Sequence, residues 1–179
     1  DEPRPGATIE IYSDYPEFNR SDLLNSATLI VEGTVTGTEY TVTEARFEGD
    51  TPEENPLLGL SEKEKAKALA KQKGSPTIVV RLRVDSVHKG DVKPGQTVSI
   101  VQSGGVINDV LYREIGNVIL SRGEKYLIFG ADSFDGAYYI LGGTAGTYVE
   151  AEPGTFVAAV DATAPFETLT STEVHSLTH

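Results

Sequence analysis

The sequence predicts a mostly-β chain folded as one small, closed or partly open β-barrel, with one helical insertion and short terminal helices. Three segments in fixed order carry that prediction. Ala27–Gly37 and Thr77–Gly90 alternate apolar and polar residues, and Leu120–Gly130 holds a short apolar run entered through Arg122-Gly123-Glu124-Lys125. Alternation with a period of two sends one row of side chains to a core and the other to solvent. A continuous apolar run of that length suits a strand covered on both faces.

The elements follow in order. Ile9, Ile11 and Tyr12 predict a short strand after an N-terminal tether over residues 1–8, and Ser21 before Asp22-Leu23-Leu24 predicts one or two helical turns over Ser21–Ser26. Leu29, Val31, Gly33 and Val35 then share one strand face, while Tyr40 and Val42 continue the apolar set on even numbers. The phase must therefore slip near Gly37, and a β-bulge there would bend the strand towards closure. Residues 48–76 read as an insertion joining two strands. Within it Ser61–Lys73 is the clearest helix of the chain, with Ser61 and Glu64 as a capping box and Gly74-Ser75-Pro76 as its end.

After the insertion Ile78, Val80, Leu82 and Val84 point one way, with Arg81, Arg83 and Asp85 opposite. Val87–Asp91 is expected to turn into an antiparallel strand starting at Val98–Ile100. Gln102–Glu114 reads as a polar loop, Val118–Leu120 as a short edge strand, and Tyr126–Phe129 as a strand buried on both sides. Asp135-Gly136 marks a hairpin tip into Tyr138–Leu141. Thr147–Glu150 and Phe156–Val160 are expected to end the barrel, and the tail from Ala164 to form a short helix over one of its ends.

At 179 residues the chain reads as a single domain, 1–179, long enough to bury a core without disulfides or metal. Its formal charge of −12 opposes phosphate backbones and anionic membrane surfaces as general partners. The charge is uneven: residues 61–125 are net +5, between ends of −10 and −7. With no cysteine there is neither a disulfide framework nor a thiolate ligand or nucleophile. No apolar run reaches the roughly 18–20 residues of a membrane span. The chain starts at Asp1 and contains no methionine, which reads as a processed product or a chain trimmed at that boundary; the first suits an exported protein with a signal peptide or lipid anchor upstream.

The pieces Val31-Glu32-Gly33-Thr34-Val35, Val84–Gly90 (VDSVHKG) and Gly123–Phe129 (GEKYLIF), followed by Gly146-Thr147-Tyr148, together resemble the netrin-like, or tissue-inhibitor-of-metalloprotease-like, variant of the OB-fold found in secreted bacterial proteins. The resemblance covers roughly residues 23–160 without the insertion, and implies an OB-like barrel. Animal inhibitors of this shape wedge a cysteine-bearing N-terminus onto the protease metal. This chain has no cysteine, so that activity does not carry over.

The residue types of catalysis are sparse. His88, His175 and His179 show no HExxH or His-x-His spacing, and His88 reads as a solvated turn residue. Ser103-Gly104-Gly105 lacks a committed histidine and acid, Asp132–Gly136 lacks the ligand alternation of a calcium loop, and Glu53-Glu54 sit in a flexible acidic loop. No catalytic, cofactor or metal residue is therefore expected. Oligonucleotide stacking on tyrosines is opposed by the net charge. The expected function is that of an exported, extracellular or cell-surface, non-enzymatic interaction domain for a protein or cell-envelope component, with no nucleic-acid partner. Its contacts are expected on the 48–76 insertion and the Gln102–Glu114 loop, with Arg81, Arg83, Tyr112 and Arg113 as partner-contact residues. A hydrolase with an unrecognised site, or a carrier of a small molecule or oligosaccharide at the barrel mouth, are the alternatives.

Overall fold

A computed structural model describes residues 6–44, 47, 49–72, 74–160 and 164–179. In chain order the elements are β1 (Ala7–Ile11), α1 (Arg20–Ser26), β2 (Leu29–Thr43), α2 (Glu62–Ala70), β3 (Ser75–Lys89), β4 (Thr97–Ser103), β5 (Gly105–Ile107), β6 (Val110–Glu114), β7 (Lys125–Asp132), β8 (Tyr138–Ile140), β9 (Thr147–Glu152), β10 (Thr155–Ala158), β11 (Thr168–Thr170) and α3 (Ser171–Thr178). The protein is mostly β, as its alternation predicts. Five strands close a ring in which β2 pairs with β3, β3 with β4, β4 with β8, β8 with β7, and β7 again with β2. Only the β4–β8 step is parallel. Strands β9, β10 and β11 extend the sheet outwards from β7 rather than completing the ring, which corrects their expected place. A separate three-stranded sheet runs β1-β6-β5.

The pleat divides the apolar residues between two cores. Leu29, Val31, Val80, Leu82, Ile100 and Ile128 belong to the cluster inside the ring. Ile30, Leu127 and Phe129, on the opposite faces of β2 and β7, belong to a second cluster with Tyr148, Phe156 and Val174. Tyr126–Phe129 is thus buried on both sides, as expected. Two ring strands serve both cores, which is why consecutive apolar residues run through Leu29–Val31 and Tyr126–Phe129.

Long strands close a small ring only if they coil, and three bulges supply the bend. Val35 opposes Leu82 and Gly37 opposes Arg81, so Thr36 is the extra residue, at the predicted phase slip. The other two were not foreseen. Asp85 is extra between Val84 and Ser86, and His88 is extra between Val87 and Lys89. Gly33 lets β2 and β3 approach at the bend, where a Cβ would lie 2.7 Å from both the Arg83 carbonyl oxygen and Leu82 Cγ.

Several expectations need correction. Residues 1–5 of the expected tether lie outside the described residues, while Ala7 and Thr8 already belong to β1, paired parallel with β6. Helix α1 is capped by Asn19, whose Oδ1 accepts from Asp22 N at 2.8 Å, not by Ser21. Gln102–Glu114 is not a polar loop. It contains the end of β4 and the β5–β6 hairpin, whose turn holds Asn108 and Asp109 at positive φ. Val118–Leu120 forms no strand, because a side chain takes its backbone groups: Gln102 Nε2 donates to Val118 O at 2.9 Å and Gln102 Oε1 accepts from Leu120 N at 3.1 Å.

Helix α2 forms as predicted, with both halves of the Ser61–Glu64 capping box present, although Lys73 lies outside the described residues. It buries no residue. Its stability is therefore local, from caps and propensity. Replacing residues 62–70 by a short Gly/Ser linker is expected to change the unfolding free energy by less than about 0.5 kcal/mol, measured by urea titration. A loss several times larger would mean that α2 supports the ring.

Candidate functional site

Histidine, carboxylate and hydroxyl do meet in this protein, at the edge of the outer core. The bulge at His88 rotates its side chain off the turn and under α3, leaving it 8% exposed. This overturns the expectation of a solvated turn residue. Its Nε2–H donates to Glu32 Oε1 at 3.0 Å, and the Glu32 side chain is itself buried. Lys125 Nζ lies 3.6 Å from Glu32 Oε2 and 3.2 Å from Glu150 Oε1. Burial pushes the Glu32 carboxyl up, but hydrogen bonds from His88 and Ser171 and the charges of His88 and Lys125 outweigh it and hold the group below its ordinary value.

The order of these contacts decides their chemistry. Nucleophilic catalysis needs the imidazole between hydroxyl and acid, so that it can take the hydroxyl proton. Here the carboxylate accepts from the imidazole and faces Lys125, while the nearby Ser171 hydroxyl donates to Gly154 O at 3.5 Å and not to His88. His88 Nδ1 is buried and has no hydrogen-bond partner. The arrangement ties β2, β3, β7 and α3 together and has no path for proton transfer from the serine. It is a structural lock on the C-terminal helix.

The recognition geometry lies elsewhere on the ring. A groove of about 800 Å³ runs over the outer face of β3 and β4. Its floor is a cross-strand row, Val79 opposite Val101 and Val101 opposite Tyr139, on the pleat face that points away from the ring interior. Small hydroxyl residues flank the row: Thr77, Ser99 and Ser103 beside it, with Thr41 and Thr43 at one wall. Thr43 and Thr77 hydroxyls bond each other at 2.7 Å. The opposite wall is the turn between β7 and β8, where Phe134 is 47% exposed and Asp135 adopts φ 58°. Tyr139 is 44% exposed.

One end of the groove is held rigid by a polar trio. Tyr15 OH donates to Glu114 Oε1 at 2.8 Å, and Asn117 Nδ2 donates to Glu114 Oε2 at 2.7 Å. Burial, then the hydrogen bond to Glu114 and its charge, push the Tyr15 hydroxyl pKa well up, so it stays a donor. Gly143 lies under the Tyr15 ring at φ +58°, and a Cβ there would sit 3.0 Å from the ring. A sequence reading places Glu114 and Gln102 in a loop, yet a signal was available. Gln102 continues the inward alternation of Val98 and Ile100.

The four expected contact residues are not brought together. Arg81 and Arg83 follow Val79 along the outer face of β3 and are occupied locally, Arg81 by Glu39 at 2.9 Å and Arg83 by Asp85 at 3.4 Å. Tyr112 and Arg113 sit in β6 of the other sheet, opposite Ile9 and Glu10 of β1. Among the described residues there is no cluster of three or more metal-ligating side chains, and no helix long and apolar enough to cross a membrane. No family profile matches the chain, and no curated protein matches it.

Proposed function

We propose that this chain is a non-enzymatic recognition module built on a netrin-like, OB-type barrel, exported to the cell surface, whose ligand lies in the groove over β3 and β4. The order of the ring supports the fold reading. Counting β2, β3, β4, β7 and β8 as first to fifth, the first pairs with the second and fourth, and the third pairs in parallel with the fifth. A five-stranded Greek-key barrel of the OB type receives its ligands on the face of the second and third strands, between the loops that follow the first and fourth. The groove occupies that place, between the segment leaving β2 and the β7–β8 turn, and this single coincidence carries the proposal. The His88–Glu32 lock supports the non-enzymatic half, since the one histidine held against an acid is committed to structure.

A blocking substitution tests it. Val101→Lys puts a long charged chain in the middle of the floor from a half-buried, outward position, so the fold should persist. Thermal shifts across a panel of glycans, metabolites and peptides should show a ligand that raises the wild-type Tm and leaves the variant unmoved. A ligand that stabilises both equally would put recognition on another surface and sink the reading.

A further inference from the structure

We infer that the occupant of the groove is an uncharged oligosaccharide, an inference resting on the groove being the recognition face. Three features of the lining point to this class. The first is charge. Among the described residues the groove is lined by the carboxylates Glu44 and Asp135 and by no lysine or arginine. The nearest cations along β3, Arg81 and Arg83, are each held by an acid. A polyanion entering here meets carboxylates inside a chain of net charge −12, with no lysine or arginine among the described lining residues to release its counterions.

The second feature is the backbone. An extended peptide gains affinity by pairing its N–H and C=O groups with a strand edge. The floor offers no such edge, because it is the face of strands already paired: Thr77 with Ser103, Val79 with Val101, and Val101 with Tyr139. What it presents are side chains alone.

The third feature is what those side chains are. The row Val79, Val101 and Tyr139, continued by Phe134, is an apolar strip against which the C–H face of a pyranose ring can lie. Hydroxyls flank the strip on both sides: those of Thr41, Ser99 and Ser103 can donate or accept as a sugar hydroxyl requires, while Thr43 and Thr77, bonded to each other with Thr77 also donating to Ser75 O at 3.0 Å, offer lone pairs. The Glu44 carboxylate is an acceptor fit for a neighbouring sugar hydroxyl, at the same rim that repels anions. At about 800 Å³ the groove has room for more than one pyranose ring, so it admits a segment of a chain.

Amide-resolved NMR titration of the isotopically labelled chain tests this with named probes. Cellotetraose, chitotetraose and maltotetraose are added separately, with an oligouridylate and an alternating Val-Thr decapeptide as competitors of other classes. At least one tetrasaccharide is expected to move the amides of Val79, Val101 and Tyr139 at concentrations near 1 mM or below, and Tyr139→Ala to weaken that binding about tenfold. If only the peptide or the uridylate moves those amides, the ligand class is wrong and the groove stands. If a saccharide binds but moves other residues and is indifferent to Val101→Lys, the groove itself fails. If no tetrasaccharide moves any amide at about 1 mM, the inference is overturned.

Discussion

Glu32→Ala should cost about 3 kcal/mol of folding stability, more than any other single change to a polar residue of this protein. Among the described residues, the carboxylate it removes is the only hydrogen-bond partner of the buried His88 imidazole and one of two acids against Lys125. Without it, His88 has two buried nitrogens with nothing to bond, and Lys125 keeps Glu150 alone. Glu32→Gln retains the volume and one acceptor and should lose less, about 1–2 kcal/mol. Urea titration of the three proteins at pH 7 gives the order. Equal stability of wild type and Glu32→Ala would remove the lock.

The same group sets an acid limit with a definite sign. Its folded-state value lies below the ordinary 4.5. Its contribution is therefore fully present above pH 4.5 and is lost as the pH falls through the lowered folded value. Wild-type stability should decline below about pH 4.5, and the decline should be shallower in Glu32→Gln, which has no proton to take up there. Parallel pH profiles for the two proteins would show that other carboxylates govern acid unfolding. Helix α3 should respond first, since His88, which the carboxylate holds, packs against His175 of that helix at 6.4 Å between ring centroids. Tail amides would then exchange faster in acid than those of β2 and β3.

How far the sequence could be read depends on whether a residue keeps its strand's phase. Val80, Leu82 and Ile100 do, and their burial follows from alternation alone. The bulge at Thr36 was legible, because apolar residues on both of its sides changed parity. The bulge at Asp85 left only one such sign, Val87 on the odd parity after Val84, and the bulge at His88 left none, since β3 ends at Lys89. His88 was therefore assigned to solvent, and the lock with Glu32 could not be seen. The groove escaped for another reason. Its floor joins β3, β4 and β8 through non-local pairings, and one of them is the parallel contact of Ile100 and Val101 with Tyr138 and Tyr139. Nothing local specifies which two-residue stretches meet when each partner is 38 residues further along the chain. Val79, Val101 and Tyr139 each look ordinary until the ring sets them side by side.

Phe129→Ala should be the most damaging apolar substitution, at about 4 kcal/mol. The ring is fully buried, edge-on to Tyr148 at 5.6 Å between centroids and stacked with Phe166 at 6.4 Å. Truncation would leave a cavity among rigid aromatic neighbours anchored by other bonds, Tyr148 OH accepting from Phe166 N at 3.3 Å, so little collapse can fill it. The informative part is how the loss spreads. Phe129 faces the outer core, yet Ile128 beside it faces the ring interior, and Ile30 and Val31 divide the same way on β2. Neither core can melt while the other holds its strands, because both hang on the same two strands. Urea curves followed by backbone circular dichroism and by tyrosine fluorescence should therefore shift together and remain coincident. Separation of the two curves in Phe129→Ala, with the ring outlasting the outer core, would mean that β2 and β7 stand without their outer cover. The extension through β9, β10 and β11 would then be an annex to the ring and not part of its fold.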